Sequence, residues 1–158
     1  MDPDSVDLAL LQPIPISLAN SAGFLLNRAA KIIHDINEQA LAPLKLSPRD
    51  VGMLLMIASE GPLSQQAIGK KHSIDRTTVV QIIDSLESRD LVTRVTNQSD
   101  RRSNSLYITP RGKKTLSQAM KLLNKQQELF LQPISEDEWR QLRISLARLI
   151  EHHLGPTK

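Results

Sequence analysis

The stretch Gln98-Ser99-Asp100-Arg101-Arg102-Ser103-Asn104 stands between two short segments, Val92-Thr93-Arg94-Val95-Thr96 before it and Leu106-Tyr107-Ile108-Thr109 after it. Both flanks are rich in β-branched residues that suit a pleated surface, so the spacing predicts a β-hairpin with a polar tip. Adjacent arginines on a projecting tip fit a narrow, electronegative groove such as the DNA minor groove. A solvated turn whose charges merely keep an edge strand from pairing would read the same way. The surroundings of the hairpin decide between the two.

Upstream, Asp75 is placed to cap a helix, because its carboxylate accepts from the first free backbone N–H groups. Val79, Ile82, Ile83 and Leu86 recur at the i, i+3, i+4, i+7 spacing of a buried helical face, and the helix runs out at Ser88-Arg89-Asp90. A shorter helix precedes it, with Ser64 as cap and Ala67 and Ile68 inward, joined through His72-Ser73-Ile74. Helix, tight turn, helix and basic hairpin is the order of a winged helix-turn-helix. With the apolar set inward, Thr77, Gln81 and Asp84 face out, Val80 lies on a flank, and Arg76 sits at the exposed start. The first residues of a recognition helix reach base edges: Gln can pair with adenine, Arg with guanine, and Thr or Val can pack on a thymine methyl. Arg76, Thr77, Thr78, Val80 and Gln81 are therefore the candidates for the major groove. Lys70, Lys71 and the Arg111, Lys113, Lys114 cluster are candidates for phosphate contact.

Outside this unit the pattern is helical. Leu18, Leu25, Leu26, Ile32, Ile33 and Ile36 mark one long amphipathic helix from Ser17 to near Pro43. Ser47-Pro48 caps the next, lined by Val51, Leu54 and Leu55 and stopped at Gly61-Pro62. After Thr109-Pro110 a second long helix carries Leu116, Met120, Leu123 and Phe130 and ends at Pro133. Ser135-Glu136-Asp137-Glu138 opens a final helix with Trp139, Leu142, Leu146, Leu149 and Ile150. The expected fold is mainly α with a small β-hairpin wing. Residues 1–16 form an arm rich in proline, 17–46 and 110–154 a helical lobe, and 47–109 the winged helix-turn-helix lobe.

Charge supports a polyanion partner. Residues 61–115 hold ten Lys/Arg against five Asp/Glu, a balance of +5, while the rest of the chain balances at −2, giving +3 in all. A localised basic surface is the electrostatic footprint of nucleic-acid binding. The absence of cysteine excludes disulfides, thiolate metal sites and thiol redox sensing. No apolar run approaches the roughly 20 residues of a membrane span. The acidic start, Asp2, Asp4 and Asp7, lacks the basic region of a secretory signal, which points to the cytoplasm. No phosphate-binding glycine loop, metal-ligand pair at helical spacing or nucleophile motif is present, so neither catalysis nor a cofactor is expected. Only His34, His72, His152 and His153 are available to a metal, and the last pair do not share a helical face.

The run Asp75-Arg76-Thr77-Thr78-Val79-Val80-Gln81 onward to Leu91-Val92-Thr93-Arg94 resembles the recognition helix of MarR-type transcriptional regulators. Ser99-Asp100-Arg101-Arg102, leading to Leu106-Tyr107-Ile108-Thr109-Pro110-Arg111-Gly112, is similar to their wing and the start of the next helix. The similarity covers about residues 17–153. It implies a homodimer whose first and last two helices interlock and carry two winged lobes to a pseudo-palindromic site on double-stranded DNA, most simply as a repressor. Arg102 would then enter the minor groove, Asp100 would orient the wing arginine, Arg101 would lie nearer the backbone, and Arg94 would brace the wing. Such regulators often bind a small aromatic or phenolic effector between the lobes, and Asn27, His34 and Arg49 are polar residues that could border such a pocket. Asp90 departs from the pattern, because these proteins usually carry glycine there; a left-handed conformation at a small stability cost is expected. The rival readings are a winged-helix adaptor for protein or RNA, and an activator that displaces another DNA-bound protein.

Overall fold

Six helices begin where a short oxygen-bearing side chain precedes them. The computed structural model describes residues 15, 18, 20–60, 62–72, 74–96 and 104–154. Within them the order is α1 (Ala22–Leu41), a 3-10 turn (Ala42–Leu44), α2 (Pro48–Glu60), β1 (Leu63–Ser64), α3 (Gln65–His72), α4 (Arg76–Ser88), β2 (Val92–Thr96), β3 (Asn104–Ile108), α5 (Pro110–Leu131) and α6 (Glu136–Leu154). The chain is mainly helical with one small antiparallel sheet, as the sequence predicts.

The caps follow from residue chemistry. Ser21 Oγ accepts from Phe24 N–H, Ser64 Oγ from Ala67 N–H, Asp75 Oδ1 from Thr78 N–H and Thr109 Oγ1 from Gly112 N–H. Two caps are reciprocal. Ser47 Oγ accepts from Asp50 N–H while Asp50 accepts from Ser47 N–H at 2.8 Å, and Ser135 and Glu138 repeat the exchange at the start of α6. Hydrogen bonds from the Thr78 and Ser135 hydroxyls, with the backbone N–H bonds adding to them, hold the Asp75 and Glu138 carboxyls respectively below their ordinary range.

Two helix ends close through a left-handed residue. Lys45 at φ 53° and Asp90 at φ 57° are the two non-glycine residues with positive φ among those described. In each case the next N–H reaches back five residues: Leu46 to Leu41 O at 3.4 Å and Leu91 to Leu86 O at 3.0 Å. The left-handed residue bonds three back, Lys45 to Ala42 O and Asp90 to Glu87 O, both at 2.9 Å. The conformation expected at Asp90 is thus present. The one at Lys45 has no mark in the sequence.

The sheet runs β1-β3-β2, with β3 in the middle and both pairings antiparallel. Two strand expectations need correction. Asn104, read as part of the tip, lies in β3 opposite Thr96, and Thr109 leaves the strand because its hydroxyl caps α5. The two-residue strand β1, with Leu63 opposite Leu106, has too few positions to show alternation. The tip residues 97–103, including Asp100, Arg101 and Arg102, lie outside the described residues, as does most of the 1–16 arm.

Burial is lopsided. Every fully buried apolar side chain among the described residues falls between Leu41 and Ala119, including Leu54, Ile68, Val79, Ile83, Leu86 and Leu106. In α1 only Leu41 is buried, and α6 buries nothing. α5 enters this core through Gly112, Leu116 and Ala119. A Cβ on Gly112 would stand 2.0 Å from the Leu91 carbonyl oxygen and 2.8 Å from Ile108 Cγ1. That approach admits no side chain.

Gly112→Ala should therefore destabilise the protein by about 3 kcal/mol or more, the upper range of overpacking, visible as a lowered urea midpoint. A cost below about 1 kcal/mol would mean that α5 shifts freely. Asp90→Gly should do the opposite and stabilise by up to about 1 kcal/mol, since glycine relieves the left-handed strain. A lowered midpoint there would show that the Asp90 side chain contributes something beyond backbone geometry.

Candidate nucleic-acid interface

Helix α4 presents two faces. Val79, Ile83 and Leu86 are buried and Ile82 is partly buried, while Arg76, Thr77, Gln81 and Asp84 are exposed and Thr78 and Val80 are half-buried. The five residues singled out for the major groove thus lie in the first half of α4, three of them open to solvent. Beside them is an open cavity of about 660 Å³, lined among others by Gln65, Lys70, Arg76, Val80 and Asn104. It joins the start of α3, the start of α4 and the first residue of β3.

The electrostatics of this face are graded along the helix. Lys70, Arg76 and Arg111 form no ion pair among the described residues. The acids of α4 lie in its second half, and both are taken up by Arg94 from β2. The Arg94 guanidinium bonds Asp84 and Glu87, and its backbone N–H donates to Glu87 Oε1 at 3.1 Å. Arg94 is only 20% exposed. A planar, forked guanidinium suits this double engagement, which fixes the slope of β2 against α4. The same pairing offsets one of the two negative charges on that half of the helix, which would otherwise repel a polyanion more strongly.

Lys71 differs from its neighbour. Its ammonium lies 2.9 Å from Glu60 Oε2, and His72 Nε2 is 3.3 Å from Glu60 Oε1 without hydrogen-bond alignment. Lys71 beside Glu60 lowers that carboxyl, opposed by burial and aided by His72. Its charge is therefore engaged in joining α3 to the end of α2. Lys70 is the open member of the pair.

Three residues at this face escape a reading of the sequence. Gln65 Nε2 is buried without a hydrogen-bond partner among the described residues, and it lines the cavity. Ser64 and Asn104 line it as well. Gln65 carries no periodic or charge signal, and Asn104 reads as turn because asparagine favours turns. By contrast, Asn27, His34 and Arg49 are all exposed and line neither this cavity nor a second one of about 530 Å³ between α1 and α5. The second is bordered by Ile36, Gln39, Ala40, Gln126, Leu129 and Phe130. Among the described residues no helix is long and apolar enough to cross a membrane.

Comparison with known proteins agrees with this geometry. The model of the MarR family matches residues 46–103. A protein of Thauera aromatica, named as a transcriptional regulatory protein for the hcr operon, is 30% identical over 137 residues, spanning 86% of this chain and 81% of its own length. The transcriptional repressor CouR, solved bound to a 23-mer DNA duplex, is 29% identical with a TM-score of 0.80, covering 85% of this chain and 96% of CouR. A cysteine-to-serine variant of MarR from E. coli, solved with operator DNA, shares the fold at a TM-score of 0.76 and 19% identity, over 93% of this chain and 100% of its own. The chain belongs to the MarR family of transcriptional regulators and is not an enzyme.

Proposed function

We propose that the chain is a homodimeric repressor that binds a pseudo-palindromic site on double-stranded DNA. The observation that carries this reading is the grading of α4. Its exposed first half offers Arg76, Thr77 and Gln81 beside Lys70, which forms no ion pair among the described residues, while the two acids of its second half are held and partly offset by Arg94. Thr78 and Val80 complete the major-groove set. In this reading Arg102, oriented by Asp100, takes the adjacent minor groove, Arg101 takes the DNA backbone, and Arg94 braces the wing. Lys70 and Arg111 take phosphates, with Lys71 a weaker candidate because Glu60 holds it. Gln65 and Asn104 border the same cavity and join the phosphate-facing set.

The dimer is supported by what one chain leaves uncovered. Leu142, Leu149, Ile150 and Leu154 of α6 are 43–80% exposed, and Leu25, Leu26 and Ile32 of α1 about as open as Leu142. Contiguous apolar helix faces of this kind mark an interaction surface. A second copy offers the same faces by two-fold symmetry and covers both sets. The repressor CouR, bound to a duplex about two helical turns long, supports two half-sites and a repressing output. Release by a small aromatic or phenolic effector belongs to the same reading, and family membership supports it.

A duplex selected by the protein from a random-sequence pool should bind one dimer, with a salt slope of about one unit per phosphate contact. Gln81→Ala should change base preference within a half-site by roughly 1–3 kcal/mol, and Arg102→Ala should weaken binding with the dimer intact. A selection that returns no common sequence, or binding confined to low salt, overturns the reading. Leu149→Asp combined with Ile150→Asp should give a monomer by sedimentation at micromolar concentration; a persistent dimer would place the interface elsewhere.

A further inference from the structure

Arg89 is the C-cap of α4, at the opposite end of the helix from Arg76, Thr77 and Gln81. Its Nη2 donates to the carbonyl oxygen of Leu44 at 2.9 Å, a partly buried bond across 45 positions of sequence. Leu44 is the last residue of the 3-10 turn that continues α1, and Lys45 follows in the left-handed conformation. Arg89 stands in the same place on α4, directly before the left-handed Asp90. Two helix C-termini that close in the same way are thus joined side chain to backbone.

Elementary physics favours that bond. The last carbonyls of a helix have no partner within it and form the negative end of its dipole. A guanidinium is always charged and presents its donors in a rigid fork, so it satisfies such a carbonyl in one orientation. The packing beneath is shared: Leu41 and Leu46 around the first closure and Leu86 and Leu91 around the second are all buried in one core. Among the described residues this is the one side-chain hydrogen bond between α4 and the segment joining α1 to α2.

We infer that Arg89 is a positioning residue that sets the distance between the two recognition helices of the dimer, by tying the end of each to the end of its own α1. The inference rests on the dimeric DNA-binding reading. In that dimer α1 is held by the partner chain, so the place of α4 on DNA depends on how rigidly α4 follows α1. Loss of the tie lets the winged lobe swing without changing any residue that faces a base. The consequence is selective: the dimer loses discrimination of half-site spacing and keeps discrimination of sequence.

The test uses the full chain and the duplex selected by the wild-type protein, with derivatives carrying one base pair more or fewer at the centre. One base pair displaces a half-site by about 3.4 Å and rotates it by roughly 35°. The wild-type dimer should bind these derivatives about tenfold or more weakly. Arg89→Met, which keeps the apolar stem and removes the donors, should reduce that penalty to about threefold or less, with Arg89→Lys between the two. The penalty for a base change within a half-site should stay as in the wild type. Each penalty is a ratio for one variant, so a smaller folded fraction cancels. An unchanged spacing penalty in Arg89→Met overturns the inference and leaves the regulator intact. A wild-type protein indifferent to both spacing and sequence overturns the dimeric reading and the inference with it.

Discussion

The carbonyl of Leu91 is where α4, the small sheet and α5 are held together. It accepts the backbone N–H of Thr109 at 3.1 Å and lies within hydrogen-bond reach of the Thr109 hydroxyl, which also donates to Asp90 O at 2.7 Å. Gly112 presses against the same oxygen from the first turn of α5. The end of α4, the sheet strands that flank the tip and the start of α5 are thus gathered at one peptide group. Backbone packed on backbone cannot relax as side chains do, so this contact sets the relative angles of three elements. The left-handed turn at Asp90 delivers Leu91 to it, and the Thr109 cap delivers α5.

From that junction the wing and the recognition helix are fixed twice more, by pairing of β2 with β3 and by Arg94. The Arg94 bridge has a mechanical and an electrostatic part that cannot be separated by inspection of either residue alone. Replacing Arg94 with a neutral residue would loosen β2 against α4 and also leave two carboxylates of α4 without a cationic partner. A partly buried guanidinium with two acidic partners gains more than an exposed pair, because solvent screens it less.

Much of this was legible in the sequence. Asp75, Ser47, Ser64 and Ser135 announce four helix starts through their chemistry, and the apolar spacing of α4 identifies which face is outward. Asp90 was legible as a left-handed position because glycine is the ordinary occupant there. The features that were not legible all depend on contacts between distant segments. Lys45 is left-handed only because α1 must turn sharply into α2, and lysine carries no signal of it. Gly112 is one of six glycines until Leu91 is seen beside it. Arg94 reads as a wing cation until Asp84 and Glu87 are found against it, and Lys71 matches Lys70 until Glu60 separates them. Asn27, His34 and Arg49 share polarity but not a cavity, since helical polarity alone does not make side chains converge.

The confinement of the buried core, among the described residues, to positions 41–119 also bears on how information is divided between one chain and two. The part that would recognise bases carries its own core, so its shape is encoded within a single copy. The helices that flank it reach full burial only by mass action, as chains meet in the proposed dimer. Identity of the letters read is then a property of the monomer, whereas the ruler that measures their separation comes into existence with assembly. Dilution would erase the second before it damages the first.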